Sequence, residues 1–273
     1  MVPPTLLKLL VITLSSSMLG AFSRTGRSGA SMFLKKGRTS VVCRSSSTVF
    51  GDPLPEEVDD NPKNGDELIT GLNGMQDISV KVVNCRELVQ ETIIRSDLSS
   101  ASAKAIGELT LCSLMMGSNL KGDENLQIHF VGNSGVGNLM AITNGRLEVR
   151  TRIGNPHFIP EGNMVLLKDG GDEACSKFLG EGQLQVTRSH PLWKQPQCGI
   201  VSMENELSIP LNLALYMAQS DQRKAVLLTD VVVEGGLCRT ALGLMVEALP
   251  GATDNNIEKA IANLEVSKRK ETP

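Results

Sequence analysis

Thiol chemistry is the first possibility this chain offers, because it carries six cysteines, at positions 43, 85, 112, 175, 198 and 238. Metal binding or dithiol exchange would need them in CxC or CxxC pairs, or beside histidines at finger spacing, and none is so placed. They read as free thiols. Cys238 stands beside Arg239, and a neighbouring guanidinium lowers a thiol pKa, so a redox sensor there is weighed against an inert thiol in a strand. The three histidines do not assemble a site either: His129 falls on the polar side of an alternating run, and His157 and His190 adjoin prolines in loops. No GxSxG elbow and no HExxH pair is present, so no catalytic residue is assigned and the chain reads as non-enzymatic. The loop GNSGVG at 132–137 resembles a phosphate cradle but lacks a following Lys-Ser or Lys-Thr and leads into a strand. It reads as a hairpin, and no ATP site is expected.

The elements that hold these residues follow from periodicity. Residues 208–222, SIPLNLALYMAQSDQ, start like a helix, with Ser208 as N-cap and Pro210 in the first turn. Leu211, Ala214, Leu215 and Ala218 recur at helical spacing, so that face is expected to be buried. Further helices are predicted over 86–96 and 99–118, the second packing one broad face, and a terminal one over 253–268. Alternation predicts strands at 78–84, with Ile78, Val80 and Val82 on one side, and at 126–132, 139–143, 146–153, 183–189, 198–203, 225–233 and 237–249. Hairpins with helices among them make an α+β fold, a single core domain with antiparallel-rich mixed sheets and packed helices.

Composition limits the partners. Hydrophobic residues make up 41% and aromatics only 3%, so the core is aliphatic and lacks stacking platforms for single-stranded nucleic acid. Residues 1–51 hold seven basic residues (Lys8, Arg24, Arg27, Lys35, Lys36, Arg38, Arg44) and no acid, which leaves 20 basic against 30 acidic in 52–273, a net of −10. So acidic a body repels phosphate backbones, and no nucleic-acid partner is expected. The apolar run at 9–22 resembles a signal-peptide core and is too short and serine-interrupted for a permanent span; the Ser/Thr/Arg-rich stretch after it has transit-peptide composition. Residues 1–51 therefore read as a targeting leader to a plastid, with mitochondrion or cytoplasm as alternatives, and no membrane partner. Residues 52–65 read as a linker, 66–265 as the core domain and 266–273 as a tail.

Several stretches together resemble one family, the 33-kilodalton redox-regulated heat-shock chaperones. They are Lys121-Gly122 before a strand, Val149-Arg150 leading to Gly154-Asn155-Pro156, and Gly180-Glu181-Gly182 with Leu184, Val186 and Arg188. Tyr216 with Ser220-Asp221-Gln222 and Leu249-Pro250-Gly251-Ala252 follow, and Asp221 departs from the family's Glu. The resemblance implies an ATP-independent holdase whose partners are unfolded client proteins and, in a homodimer, a second copy. It also implies a carboxy-terminal zinc domain with CxC and CxxC pairs; the chain reaches Pro273 without them, as a shortened product or a core-only relative would, so no cofactor is assigned here. The apolar surface expected to hold clients is Leu211, Leu215, Met217, Leu244 and Met245, with both methionines as adaptable contacts or as plain core. A regulatory protein that binds one folded partner is the rival reading.

Overall fold

The structure, a computed structural model, describes residues 44–49, 65–73, 77–133, 135–160, 179–204 and 207–253. Most of the expected leader and linker, the terminal helix over 253–268 and the tail lie outside the described residues.

Two five-stranded sheets enclose one helix. The first sheet runs β1-β2-β3-β10-β9, from β1 (Arg44–Val49), β2 (Glu67–Leu72), β3 (Ile78–Asn84), β10 (Leu237–Ala248) and β9 (Ala225–Glu234). The second runs β6-β5-β4-β7-β8, from β6 (Val149–Ile153), β5 (Leu139–Asn144), β4 (Asn125–Gly132), β7 (Gly182–Ser189) and β8 (Gln197–Ser202). All pairings are antiparallel except β1 with β2. Three helices complete the described fold: α1 (Arg86–Ser96), α2 (Ser100–Gly117) and α3 (Ile209–Gln219). This is the expected α+β architecture. The parallel edge strand β1 lies within the stretch read as leader, and β2 was not foreseen.

Helix α2 differs from the expectation of one buried face. It packs against both sheets, and 16 of its 18 residues are buried, all round the helix. Its composition explains this: SASAKAIGELTLCSLMMG has one Lys and one Glu, and small residues on the sides that must approach a strand. A Cβ on Gly107 would stand 2.8 Å from Val231 of β9, and one on Gly117 would stand 2.6 Å from Thr143 of β5. Ser99 caps the helix, its Oγ accepting from Ser102 N at 3.3 Å.

Helix α1 is capped from a distance. Its N-cap residue, Cys85, supplies no side-chain cap, and Asp66, just before β2, accepts hydrogen bonds from Glu87 N at 3.0 Å and Leu88 N at 2.7 Å. Burial nevertheless pushes the Asp66 carboxyl up to about 6, the two amide bonds opposing it. Between the ordinary value of 3.8 and about 6 the folded chain binds more protons than the unfolded one, so this group's contribution to stability falls as pH rises through that window. Urea melts between pH 4 and 6.5 are expected to lose part of that slope in Asp66→Asn, which keeps an acceptor for the helix but cannot titrate; an unchanged slope would rule the assignment out.

Helix α3 begins where expected, but its buried stripe is rotated. Ile209, Asn212, Leu213, Ala214, Tyr216 and Met217 are buried, whereas Leu211 and Leu215 are half-buried and Ala218 is exposed. Ser208 holds the N-cap position without a side-chain cap bond. Asn212 organises the entry instead: its Oδ1 accepts from Glu204 N at 3.0 Å, and its Nδ2 donates to Leu207 O at 2.9 Å.

Candidate functional site

The two faces of the first sheet are chemically different. On β3, Ile78, Val80 and Val82 point away from α2; on β10, Val246 lies opposite Val80 and Leu244 opposite Val82. On β9, Leu228 lies opposite Leu244 and Val226 opposite Val246. These side chains form an apolar cluster of their own, separate from the main core: Ile78, Leu228, Leu244 and Val246 are buried, and Val80, Val82, Val226 and Leu211 of α3 pack around them half-buried. Of the residues expected to hold clients, the structure therefore brings Leu211 and Leu244 together. It separates the methionines from them. Met217 and Met245 are both 0% exposed and belong to the main core, because Met245 alternates onto the inner face and Met217 follows Leu213 down the buried stripe of α3. Leu215 is half-buried and lies outside the outer cluster.

The inner face carries an unexpected charge. Lys81, on β3 between Val80 and Val82, is 1% exposed and points at the carboxy-terminal end of α2. Its Nζ donates to Met115 O at 3.1 Å and to the Asn119 side-chain Oδ1 at 2.9 Å, so the cation satisfies one carbonyl of the last helical turn and meets the negative end of the dipole. Burial pulls its ammonium down to about 8, and the nearby Glu247 carboxylate opposes that shift.

From Glu247 an ionic chain runs to the second sheet. Glu247 of β10 is 3% exposed and pairs through Oε1 with Arg223, just beyond α3. Arg223 also approaches Asp221 at 3.7 Å, and Asp221 accepts from Arg188 of β7 at 3.1 Å. Tyr216 and Ser220 sit against β8: a Cβ on Gly199 would lie 2.6 Å from the Tyr216 hydroxyl and 2.5 Å from Ser220 Oγ. Burial raises the Tyr216 hydroxyl pKa, which Ser220 counters. Gln222 adopts φ +54, the left-handed turn that lets the chain leave α3 toward β9. The motif ending in Ser220-Asp221-Gln222 is thus a joint between the sheets.

The other motif residues are joints too. Ser99 N donates to Pro156 O at 2.9 Å, Ser102 Oγ to Asn155 O at 2.9 Å, and Gly154 N to Asn138 O at 2.8 Å, which seats the start of α2 on the β5 and β6 ends. Gly180 has φ +67, and a Cβ on Gly182 would stand 1.9 Å from Val131 O, so β7 enters its pairing with β4 at a closeness only glycine permits. Lys121 and Gly122 form an exposed turn under the β5–β6 hairpin, where a Cβ on Gly145 would meet Gly122 O at 2.8 Å. Pro250 and Gly251 form an exposed turn after β10, stitched back by Leu249 N to Asp77 O at 2.8 Å. These residues do not converge on one pocket.

Cys238 is not the sensitised thiol its neighbour suggested. It is 4% exposed, and burial pushes its thiol up to about 11, with Arg86 rather than Arg239 as the opposing cation. Arg239 reaches Glu234 at 3.4 Å instead. Cys85 and Cys112 are also buried, and of the described thiols Cys198 on β8 is the exposed one. Among the described residues no three His, Cys, Asp or Glu side chains are placed to hold a metal, so they do not fit a zinc centre. No described helix is long and apolar enough to cross a membrane.

The family model described as "Hsp33 protein" matches residues 66–272. The 33 kDa chaperonin of Lactobacillus delbrueckii subsp. bulgaricus is 31% identical over 196 residues, covering 71% of this chain and 64% of the relative. That of Lactobacillus helveticus is 30% identical over 201 residues, covering 73% and 66%. The chain therefore spans less than two thirds of the length of these relatives. Among solved structures, the 33 kDa chaperonin of Thermotoga maritima superimposes with a TM-score of 0.66 at 22% identity, covering 76% of this chain and 71% of that one.

Proposed function

Since the chain belongs to the Hsp33 protein family, we propose that it is a chaperone that holds unfolding proteins without ATP. The observation that carries this reading is the second apolar cluster on the outer face of the first sheet, where the half-buried Val80, Val82, Val226 and Leu211 are the side chains a client would meet and the buried Ile78, Leu228, Leu244 and Val246 support them. Apolar side chains gathered outside the main core are what a client's unfolded segments would compete for, and the net charge of −10 over 52–273 opposes non-specific aggregation of the chaperone itself. The glycine-rich hairpin between β4 and β5 fits the absence of nucleotide from this scheme.

Client holding in this reading needs no metal and no thiol switch, because the cluster is aliphatic throughout. Residues 1–51 deliver the protein to a plastid, and a homodimer is compatible with the reading. Light scattering of a chemically unfolded client is expected to fall in the presence of the full chain, without nucleotide, and equally under reducing and oxidising conditions. Protection that requires ATP, or protection in neither redox condition, would overturn the proposal.

A further inference from the structure

We propose that β8 is an open edge to which an extended apolar segment of an unfolded client, flanked by Lys or Arg, adds as a further strand of the second sheet. This deepens the chaperone reading and rests on it. Met203 N donates to Gly182 O at 3.0 Å, and Gly182 is its direct partner in the β7–β8 register. Antiparallel pairing alternates, so Val201 and Gly199 also bond toward β7, and the backbone N–H and C=O groups of Cys198, Ile200 and Ser202 point outward. No described strand pairs with that side.

Natural sheet edges are commonly blunted by charge, proline, a bulge or a covering element. The opposite edge of this sheet, β6, has exposed Arg150 and Arg152. In the first sheet, β9 carries Asp230 and Glu234, and its partner strand is bulged at Cys238 to Thr240. Strand β8, QCGIVS, has neither charge nor proline. Its six residues span about 20 Å at about 3.4 Å each, room for a segment of similar length. Ile200 is 56% exposed, and Leu192 and Trp193 in the preceding loop are 86% and 37% exposed, so apolar side chains accompany the open backbone. The charge of the body selects the flanks: with a net of −10 over 52–273, a neutral strand between basic residues is attracted and an acidic one repelled.

The test uses the full chain and a fluorescent peptide of alternating Val and Thr between Lys pairs, followed by anisotropy. Ile200→Pro removes an outward N–H without taking a donor from the β7–β8 ladder, and is expected to weaken binding roughly tenfold or more. Ile200→Lys, a charged edge on the same backbone, should do likewise, while Ile200→Val stays within about twofold. A version of the peptide flanked by Glu should bind roughly tenfold more weakly than the Lys version. Equal peptide binding by wild type and by Ile200→Pro of unchanged melting temperature would overturn the edge assignment. So would a wild-type dimer that Ile200→Pro breaks, since a second copy would then occupy the edge. Client aggregation separates the two layers: if wild type and Ile200→Pro protect equally, the edge inference alone fails, and if wild type gives no protection, the chaperone reading fails with it.

Discussion

Arg223→Ala is expected to destabilise the fold by about 3 kcal/mol, the cost of leaving a buried carboxylate without its partner. Glu247 has one pairing oxygen on Arg223, while its Oε2 has no hydrogen-bond partner among the described residues. Arg223 itself is only 23% exposed in its side chain, so solvent does little to replace it. Removal of the guanidinium also cuts the link to Asp221 and hence to Arg188 on the second sheet. Denaturant unfolding of the single variants and of Arg223→Ala with Glu247→Gln checks this: the double variant should recover part of the loss, because the orphaned charge is gone. A loss below about 0.5 kcal/mol in Arg223→Ala would mean that the chain of charges is ornamental.

Met217→Gln and Met245→Gln are each expected to cost about 3 kcal/mol, and the pair to prevent folding at moderate temperature. Both side chains are 0% exposed, so each substitution loses apolar packing and buries an amide with no designed partner. Had these methionines lined a client surface, the substitutions would weaken protection against aggregation and leave the melt unchanged. Thermal melts of the two single variants decide between the outcomes, and melting temperatures equal to wild type would return the methionines to the surface.

The same residues show what the sequence could express. Alternation grouped Ile78, Val80 and Val82 correctly, yet they line the outer cluster, and the main core lies on the side where Lys81 points. A period of two states which residues share a face and is silent on which face meets the helix. The partners that make a buried Lys81 tolerable, Met115 O and Asn119, are 34 and 38 residues away, beyond the reach of any local pattern. The buried stripe of α3 was misplaced for a related reason. With Leu211, Leu213, Leu215 and Met217 all apolar, periodicity admits more than one face, and packing against α2, β7 and β9 selects the one through Leu213 and Met217.

The motif residues were legible as a set but not as a mechanism. Glycine at 199 and tyrosine at 216 make sense only when β8 and α3 touch, and Arg188 with Asp221 only when β7 meets the turn after α3. Nothing local in the chain announces those meetings. Cys238 makes the converse point: its sequence neighbour Arg239 suggested activation, and the strand turns that arginine to Glu234 while burial raises the thiol.

The central claim is that clients are held by the aliphatic outer face of the first sheet. The direct test is client aggregation in the absence of nucleotide with Val80→Ser and Val226→Ser introduced together, at half-buried positions on that face. Protection by the variant is predicted to drop severalfold relative to wild type at a temperature where both are folded by circular dichroism. Undiminished protection by a folded variant would contradict the account.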